Sequence, residues 1–316
     1  MRVVFMGTPE FAVASLDAIH HSPHEVVAVV TAPDKPAGRG LKLKASAVKE
    51  YALAHNLPLL QPEKLKSEGF LQQLRLCQAD VFVVVAFRML PEVVYAMPPK
   101  GTFNIHASLL PNYRGAAPIH WAVMNGETKT GVTSFFLNQQ IDAGDIIHAI
   151  EVEIGESETT GELYDRLMQK GAQLAIETLD QIEKGTVVTQ KQSSQEEDLK
   201  PAPKIFKEDT FIDWNQPSQV VYNKIRGLAP FPCACTRIQN NKGQTELIKL
   251  YESQIVQNVS GLKPGTITQK APDLLTISTA DGQIQVKKLQ LQGKTKLSVA
   301  EFLRGFHTEN YILFAF

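Results

Sequence analysis

Five consecutive apolar residues, Val81 to Val85, constrain the fold of this chain more than any other feature. Side chains alternate between the two faces of a strand, so a strand that is apolar throughout must be covered on both faces. This segment predicts a strand over Asp80 to Ala86, and similar β-branched segments predict strands at Val3 to Met6, Glu25 to Thr31 and Thr102 to His106, with helical patterns between them. This alternation predicts a parallel sheet between helices, an α/β domain.

The second half of the chain has a different pattern. After two more predicted strands and a helix that ends near Glu183, residues 186–204 are polar and carry two prolines. Beyond them, one helix over 216–226 is followed by short β-like segments that Gly, Pro and Asp separate, as in a small barrel. The sequence therefore predicts an α/β domain over 1–188, a linker over 189–204 and a small β-barrel domain over 205–316.

The composition fits a globular protein of two domains. Of its 316 residues 43% are hydrophobic and 21% charged, close to the average for folded proteins. The three cysteines are an odd number without a C-x-x-C pair, which disfavours a disulfide framework and favours a reducing cytoplasm. No apolar stretch approaches the ~20 residues that span a bilayer, so we expect no membrane association.

The charge of the chain is unevenly distributed. Residues 1–190 contain 16 basic and 21 acidic residues, whereas residues 200–316 contain 15 basic and 9 acidic ones. An excess of positive charge in the C-terminal part suits a polyanionic partner such as nucleic acid. A surface that is charged only for solubility would have the same composition, so charge alone leaves both interpretations open.

The first turn of the predicted sheet disfavours two common classes of nucleotide-binding protein. Gly7 is the one glycine present where the dinucleotide fingerprint needs three, and Pro9 lacks the N–H group that a pyrophosphate would bind. The chain also contains no G-x-x-x-x-G-K-[ST] motif, which disfavours a P-loop enzyme.

Polar side chains lie at the end of the strand Thr102 to His106. Asn104 and His106 share one face of this strand at its carboxyl end, where ligands of open α/β sheets bind. Together they supply a hydrogen-bond donor and a titratable acid, which acyl or formyl transfer requires. Asp142, in a polar turn, could stabilise the protonated imidazole. A hydrogen-bonded core histidine and an Asx turn are the alternatives, and the residue types disfavour a metal site.

Several segments of the chain resemble the methionyl-tRNA formyltransferase family of 10-formyltetrahydrofolate-dependent enzymes over nearly its whole length. The matching segments are Met6 to Phe11, Thr31 to Gly40, Phe103 to Ile119, Ile141 to Asp145 and Ile225 to Pro232. By this resemblance the first domain is a Rossmann-like formyltransferase domain, and the second is an OB-like β-barrel that helps to hold tRNA.

The resemblance also implies a reaction. A cytoplasmic, monomeric enzyme of this family transfers the formyl group of 10-formyltetrahydrofolate to the amino group of methionyl initiator tRNA, and the product serves translation initiation. Asn104 and protonated His106 would stabilise the oxyanion, while Asp142 would act on the imidazole and relay protons, without a metal. The implied folate-binding residues are Ser108, Leu109, Leu110, Pro111, Phe87, Met89 and Leu90. The implied tRNA-binding residues are Lys35, Arg39, Lys42 and Lys44.

Two other functions compete with this one. A formyltransferase acting on glycinamide ribonucleotide or an amino sugar would use the same three catalytic residues, although it would not need the barrel or the basic loop. An RNA-binding module that has lost catalysis would retain the fold, but the intact Asn104, His106 and Asp142 disfavour it. The segment from Val85 to Pro91 departs from the family pattern, since it is one residue shorter and lacks a glycine.

Overall fold

The apolar strand Val81–Val85 is completely buried at the centre of a seven-stranded sheet. The structure is a computed structural model that describes residues 1–37, 42–192, 199–256, 261–306 and 311–314. It divides into two units, the first of which comprises Met1–Pro118, Lys129–Glu153 and Tyr164–Ala202. The second unit comprises Ile119–Thr128, Ile154–Leu163 and Pro203–Phe316. Within the described ranges no helix combines the length and hydropathy needed to cross a membrane.

The strands before residue 160 form one large sheet and one small hairpin. They are β1 (Arg2–Gly7), β2 (Glu25–Val30), β3 (Lys35–Ala37), β4 (Lys42–Lys44), β5 (Leu59–Leu60), β6 (Val81–Val85), β7 (Thr102–His106), β8 (Lys129–Phe136) and β9 (Ile146–Glu153). The large sheet has the order β5-β2-β1-β6-β7-β8-β9, and among the described strands β3 pairs with β4 alone. The first five strands of this order are parallel, and β8 and β9 add antiparallel strands at one edge.

Helices cover both faces of the large sheet, which is why β6 is apolar throughout. The helices of this part are α1 (Glu10–His20), α2 (Ala47–Ala54), α3 (Glu68–Leu76), α4 (Glu92–Tyr95), α5 (Pro118–Met124) and α6 (Thr160–Lys184). On one face, Phe82 and Val84 pack in a core with Leu74 of α3. On the other face, Ile105 lies beside Gly171 of α6. The α/β fold expected from the alternating pattern is confirmed.

The second unit is built on an antiparallel sheet. Its elements are α7 (Ser218–Leu228), β10 (Ala234–Asn240), β11 (Thr245–Val256), β12 (Ile267–Ala271), β13 (Leu274–Ser278), β14 (Gln283–Leu291), β15 (Lys296–Ser298), α8 (Val299–Leu303) and β16 (Tyr311–Phe314). The strand order is β12-β13-β14-β11-β10-β16, and β15 pairs with β14. Apolar side chains from α7, α8 and most of the strands meet in one core around the fully buried Trp214. The β-rich second domain is therefore confirmed.

The segment expected to be a linker makes ordered contacts with the first unit. Gln190 exchanges two backbone hydrogen bonds of 2.8 Å with Ile146, and Ala202, which is fully buried, donates one of 2.9 Å to the carbonyl of Arg114. A polar composition does not reveal such contacts, because backbone groups make them. The domain boundaries expected from composition stay a prediction.

Two leucines on α3 provide a matched test of the first core. Leu74 is 1% exposed, whereas Leu76, two residues later, is 74% exposed. We expect Leu74→Ala to lower the free energy of unfolding by about 2–5 kcal/mol, because it leaves a cavity in the core. Leu76→Ala should change it by less than about 0.5 kcal/mol. Urea denaturation followed by circular dichroism measures both, and equal effects would contradict the burial of this helix face.

Candidate active site

Strand β7 delivers two polar side chains to the carboxyl end of the parallel strands. Its residue Asn104 lies between Val84 of β6 and Phe135 of β8 in the sheet register, with a half-buried side chain. Within the described part of the chain the Asn104 amide makes no hydrogen bond. Asn104 therefore presents a donor and an acceptor that a ligand can use.

His106 is the second of these side chains, and its ring is held by the chain itself. The imidazole is 7% exposed, and its Nε2 lies 2.8 Å from the carbonyl oxygen of Tyr113. A carbonyl only accepts hydrogen bonds, so Nε2 carries the proton in this arrangement. The other ring nitrogen, Nδ1, is therefore the one that can gain or lose a proton. Sequence analysis identified His106 but not this bond.

Asp142 faces that second nitrogen. Its Oδ2 lies 3.7 Å from Nδ1 of His106 and accepts a hydrogen bond of 3.0 Å from the backbone N–H of Gly115. The backbone of Asp142 is in the left-handed region, with φ of 50°. The structure thus brings His106 and Asp142 together, and the two groups can form an ion pair when the imidazole is protonated. The catalytic roles of Asn104, His106 and Asp142 stay a prediction.

The segment expected to bind folate begins directly after β7. Ser108 is fully buried and its hydroxyl donates to the carbonyl of Asn112 at 2.7 Å. Thr133 of β8 fixes the same segment, since its hydroxyl donates to the carbonyl of Ser108 and accepts from the N–H of Leu110. The Ser108 side chain therefore shapes the turn, and Leu109 and Pro111 keep part of their surface exposed. The folate-binding role of residues 108–111 stays a prediction.

The second expected folate segment follows β6. Leu90 is 5% exposed and Phe87 packs against the core, whereas Met89 is 66% exposed. Arg88 fixes this loop by donating to the carbonyls of Pro62 and Glu63. Of the three residues that the resemblance implies here, Met89 is the one with most surface available to a ligand.

Three of the basic residues expected to bind tRNA, Lys35, Lys42 and Lys44, belong to the hairpin formed by β3 and β4. Lys35 is directly opposite Lys44 in the hairpin register, and both are exposed. Lys42 lies in β4, and Arg39 lies outside the described residues. Lys49, also basic, is paired with Asp34 at 2.6 Å. Hydrogen bonds from Lys49 and Gln61 hold the pKa of the Asp34 carboxyl below its usual value.

Both domains match models of one protein family. The model described as "Formyl transferase" matches residues 1–179, and the model described as "Formyl transferase, C-terminal domain" matches residues 204–307. The first match alone covers more than half of the chain.

Two curated relatives have the same name and similar lengths. The methionyl-tRNA formyltransferase of Bacteroides fragilis is 51% identical over 309 residues, which cover 97% of this chain and 95% of the relative. The methionyl-tRNA formyltransferase of Flavobacterium johnsoniae is 50% identical over 305 residues, which cover 96% of each chain.

Solved structures with a similar fold contain folates. HypX from Aquifex aeolicus in complex with tetrahydrofolic acid has a TM-score of 0.63 and 19% identity over 96% of this chain and 47% of that one. The sugar 3N-formyltransferase WlaRD, with dTDP and 5-N-formyl-THF, has a TM-score of 0.64 and 19% identity over 93% of this chain and 99% of that one. At this identity they establish the fold. The family models and the full-length relatives together show that this chain belongs to the formyl transferase family.

Proposed function

We propose that this protein transfers the formyl group of 10-formyltetrahydrofolate to the amino group of methionyl initiator tRNA, which yields the formylated tRNA used in translation initiation. The observation that carries the proposal concerns Asn104, whose amide has no hydrogen-bond partner among the described residues. It lies on the same strand face as His106, which pairs with Asp142. We infer the acceptor from the relatives named methionyl-tRNA formyltransferase, which match this chain over nearly their whole length.

The residues of the two implied folate segments include surface that suits a folate. The exposed Met89 side chain and the partly exposed Leu109 and Pro111 offer apolar surface to a flat ring, and the Asn104 amide offers polar contacts. When bound, 10-formyltetrahydrofolate supplies an activated one-carbon group that an amine can attack.

Asn104 acts as a hydrogen-bond donor in this reaction. Attack by an amine on a formyl carbon places negative charge on the formyl oxygen, and a donor positioned for that oxygen lowers the barrier. Among the residues that the structure describes, the Asn104 amide has no hydrogen-bond partner that it must leave to make this bond.

His106 and Asp142 handle protons. With Nε2 bonded to the Tyr113 carbonyl, His106 takes up a proton at Nδ1, where the Asp142 carboxylate stabilises the resulting cation. As the amine bonds to the formyl carbon and the bond from that carbon to N10 of the folate breaks, the amine must lose a proton and N10 must gain one. The His106–Asp142 pair accepts the proton of the amine, directly or through water, and tetrahydrofolate leaves with a proton on N10.

The β3–β4 hairpin binds the tRNA backbone. Like charges opposite each other weaken a two-stranded hairpin, so the Lys35–Lys44 pair is unfavourable until an anion lies against it. Phosphates supply that charge, and Arg39 and Lys42 add to the same basic segment. The excess of basic residues in 200–316 gives the C-terminal domain, which begins near residue 205, a similar attraction to tRNA.

An acceptor comparison tests the proposed function. We expect rapid formylation of methionyl initiator tRNA, slower formylation of methionyl elongator tRNA and none of glycinamide ribonucleotide or an amino sugar. The measurement is formyl transfer from 10-formyltetrahydrofolate to each acceptor at equal concentration. Preference for a small-molecule acceptor would overturn the proposal.

Removal of the Asn104 amide tests the chemical step. We expect Asn104→Ala and Asn104→Asp to reduce kcat about 10²- to 10³-fold, because neither variant donates a hydrogen bond to the oxyanion. Gln72→Ala, which removes an exposed amide from α3, is the control and should retain full activity. Single-turnover formylation measures the step, and wild-type rates in Asn104→Asp would exclude the assigned role.

Removal of the two opposed lysines tests the tRNA contact. In the double variant Lys35→Ala/Lys44→Ala, we expect weaker tRNA binding and a slope of log K against log salt that is smaller by about 1–2, because each phosphate contact contributes roughly 0.7–0.9. Lys100→Ala, an exposed lysine outside the hairpin, should leave the slope unchanged. An unaltered slope in the double variant would show that the hairpin does not bind phosphate.

A further inference from the structure

Two side chains outside the catalytic set hold the loop that carries Asp142. The Nε and Nη2 atoms of Arg114 donate to Oε1 of Gln192 at 3.0 and 2.7 Å. The Nε2 of Gln192 then donates to the carbonyls of Asp142 at 2.9 Å and of Gly144 at 2.8 Å. Both side chains are half-buried, so water competes only partly for these bonds.

The Asp142 loop needs such support. A residue other than glycine in the left-handed region is strained, and such a conformation persists where neighbouring groups determine it. On one side the loop is pressed against β8, since a Cβ atom at Gly144 would overlap the carbonyl oxygen of Phe136. Gln192 supplies the attachment through the carbonyl of Asp142, and that carbonyl fixes the backbone from which the carboxylate extends.

The backbone on either side of Arg114 holds the carboxylate of Asp142 and the ring of His106. The N–H of Gly115 donates to the Asp142 carboxylate, and the carbonyl of Tyr113 accepts from His106. The segment 199–202 pairs with this stretch, as Tyr113 donates to the carbonyl of Lys200 and Ala202 donates to the carbonyl of Arg114. Gln192 and the segment 199–202 therefore hold the backbone around both members of the His106–Asp142 pair.

The chemistry of the pair explains why a neutral amide stands between Arg114 and Asp142. A guanidinium bonded directly to the Asp142 carboxylate would neutralise it and compete with the imidazole for it. In the described part of the chain Arg114 forms no ion pair, and its bonds to Gln192 order the loop through backbone carbonyls. The carboxylate keeps its negative charge for His106.

We propose that Arg114 and Gln192 are positioning residues that hold the Asp142 carboxylate at Nδ1 of His106. This assignment rests on the proposed function, because it concerns the same site. Gln192 lies in the segment 189–204, where composition indicates a linker, and the proposal makes this part of the segment a component of the active site.

Three variants separate a positioning role from a structural one. Gln192→Ala removes all four bonds, whereas Gln192→Glu keeps the contact with Arg114 and loses the two donors to the loop. The matched control is Gln190→Ala, an exposed glutamine two residues earlier. We expect both Gln192 variants to lower kcat about 10- to 100-fold, since a displacement of about 1 Å has an effect of this size, with KM for both substrates within about twofold. Gln190→Ala should match the wild type.

Two further readouts report on the loop itself. Hydrogen exchange should become faster in residues 138–145 of both Gln192 variants and stay unchanged in Gln190→Ala. In an Asp142→Asn background, Gln192→Ala should cause no additional loss in single-turnover rate, because the group that it positions is already absent.

The outcomes separate the two proposals. Failure of the wild-type protein to formylate methionyl-tRNA would overturn the proposed function, and the exchange measurement would still decide whether Gln192 holds the loop. Wild-type kcat in Gln192→Glu, unchanged exchange in 138–145, or a full additional loss in the Asp142→Asn background would overturn the positioning role.

Discussion

The hydrogen bond from Nε2 of His106 to the carbonyl of Tyr113 is the interaction on which the candidate site depends. It fixes the ring so that Nδ1 faces Asp142, and it removes the ambiguity over which nitrogen exchanges protons. Because the carbonyl belongs to a residue with φ of 60°, the turn after β7 must adopt an unusual backbone to present it. The donor of this bond lies at the end of β7, and the acceptor lies in the turn that follows it.

The charged and polar side chains discussed above fall into two groups. The candidate active site combines one buried imidazole, one carboxylate and one neutral amide. The exposed Lys35 and Lys44, to which the proposed function assigns tRNA binding, lie on the β3–β4 hairpin. Lys49 lies close in sequence but is bonded to Asp34, which anchors the chain that leads into the hairpin.

Much of the fold could be predicted from the sequence because burial on two faces leaves a clear pattern. The strand Thr102–His106 was predicted with its observed bounds, and the apolar segment at Val81 predicts β6 to within one residue at each end. The antiparallel direction of β8 against its neighbours β7 and β9 was not predicted, since the apolar pattern of a strand does not contain its direction. The five-residue helix α8 is too short for a periodic pattern to reveal it.

The site could be predicted only where side chains carry the chemistry. Asn104, His106 and Asp142 are polar residues at strand ends and turns, and sequence analysis singled them out. The Tyr113 carbonyl and the Gly115 N–H are backbone groups, so the residue types in the sequence do not identify them. The role of Gln192 could not be predicted for a different reason. Its neighbours in sequence are polar, as in a linker, and it donates hydrogen bonds to carbonyl oxygens far away in the chain.

The support that Gln192 and residues 199–202 give to the site has a consequence for how this protein can be recombined with its relatives. A hybrid joined at residue 188 would combine the Asp142 loop of one parent with the Gln192 segment of the other. A junction after Ala202 would take both from the same parent. The junction that preserves these contacts in this chain therefore lies after Ala202, within the segment whose composition indicates a linker.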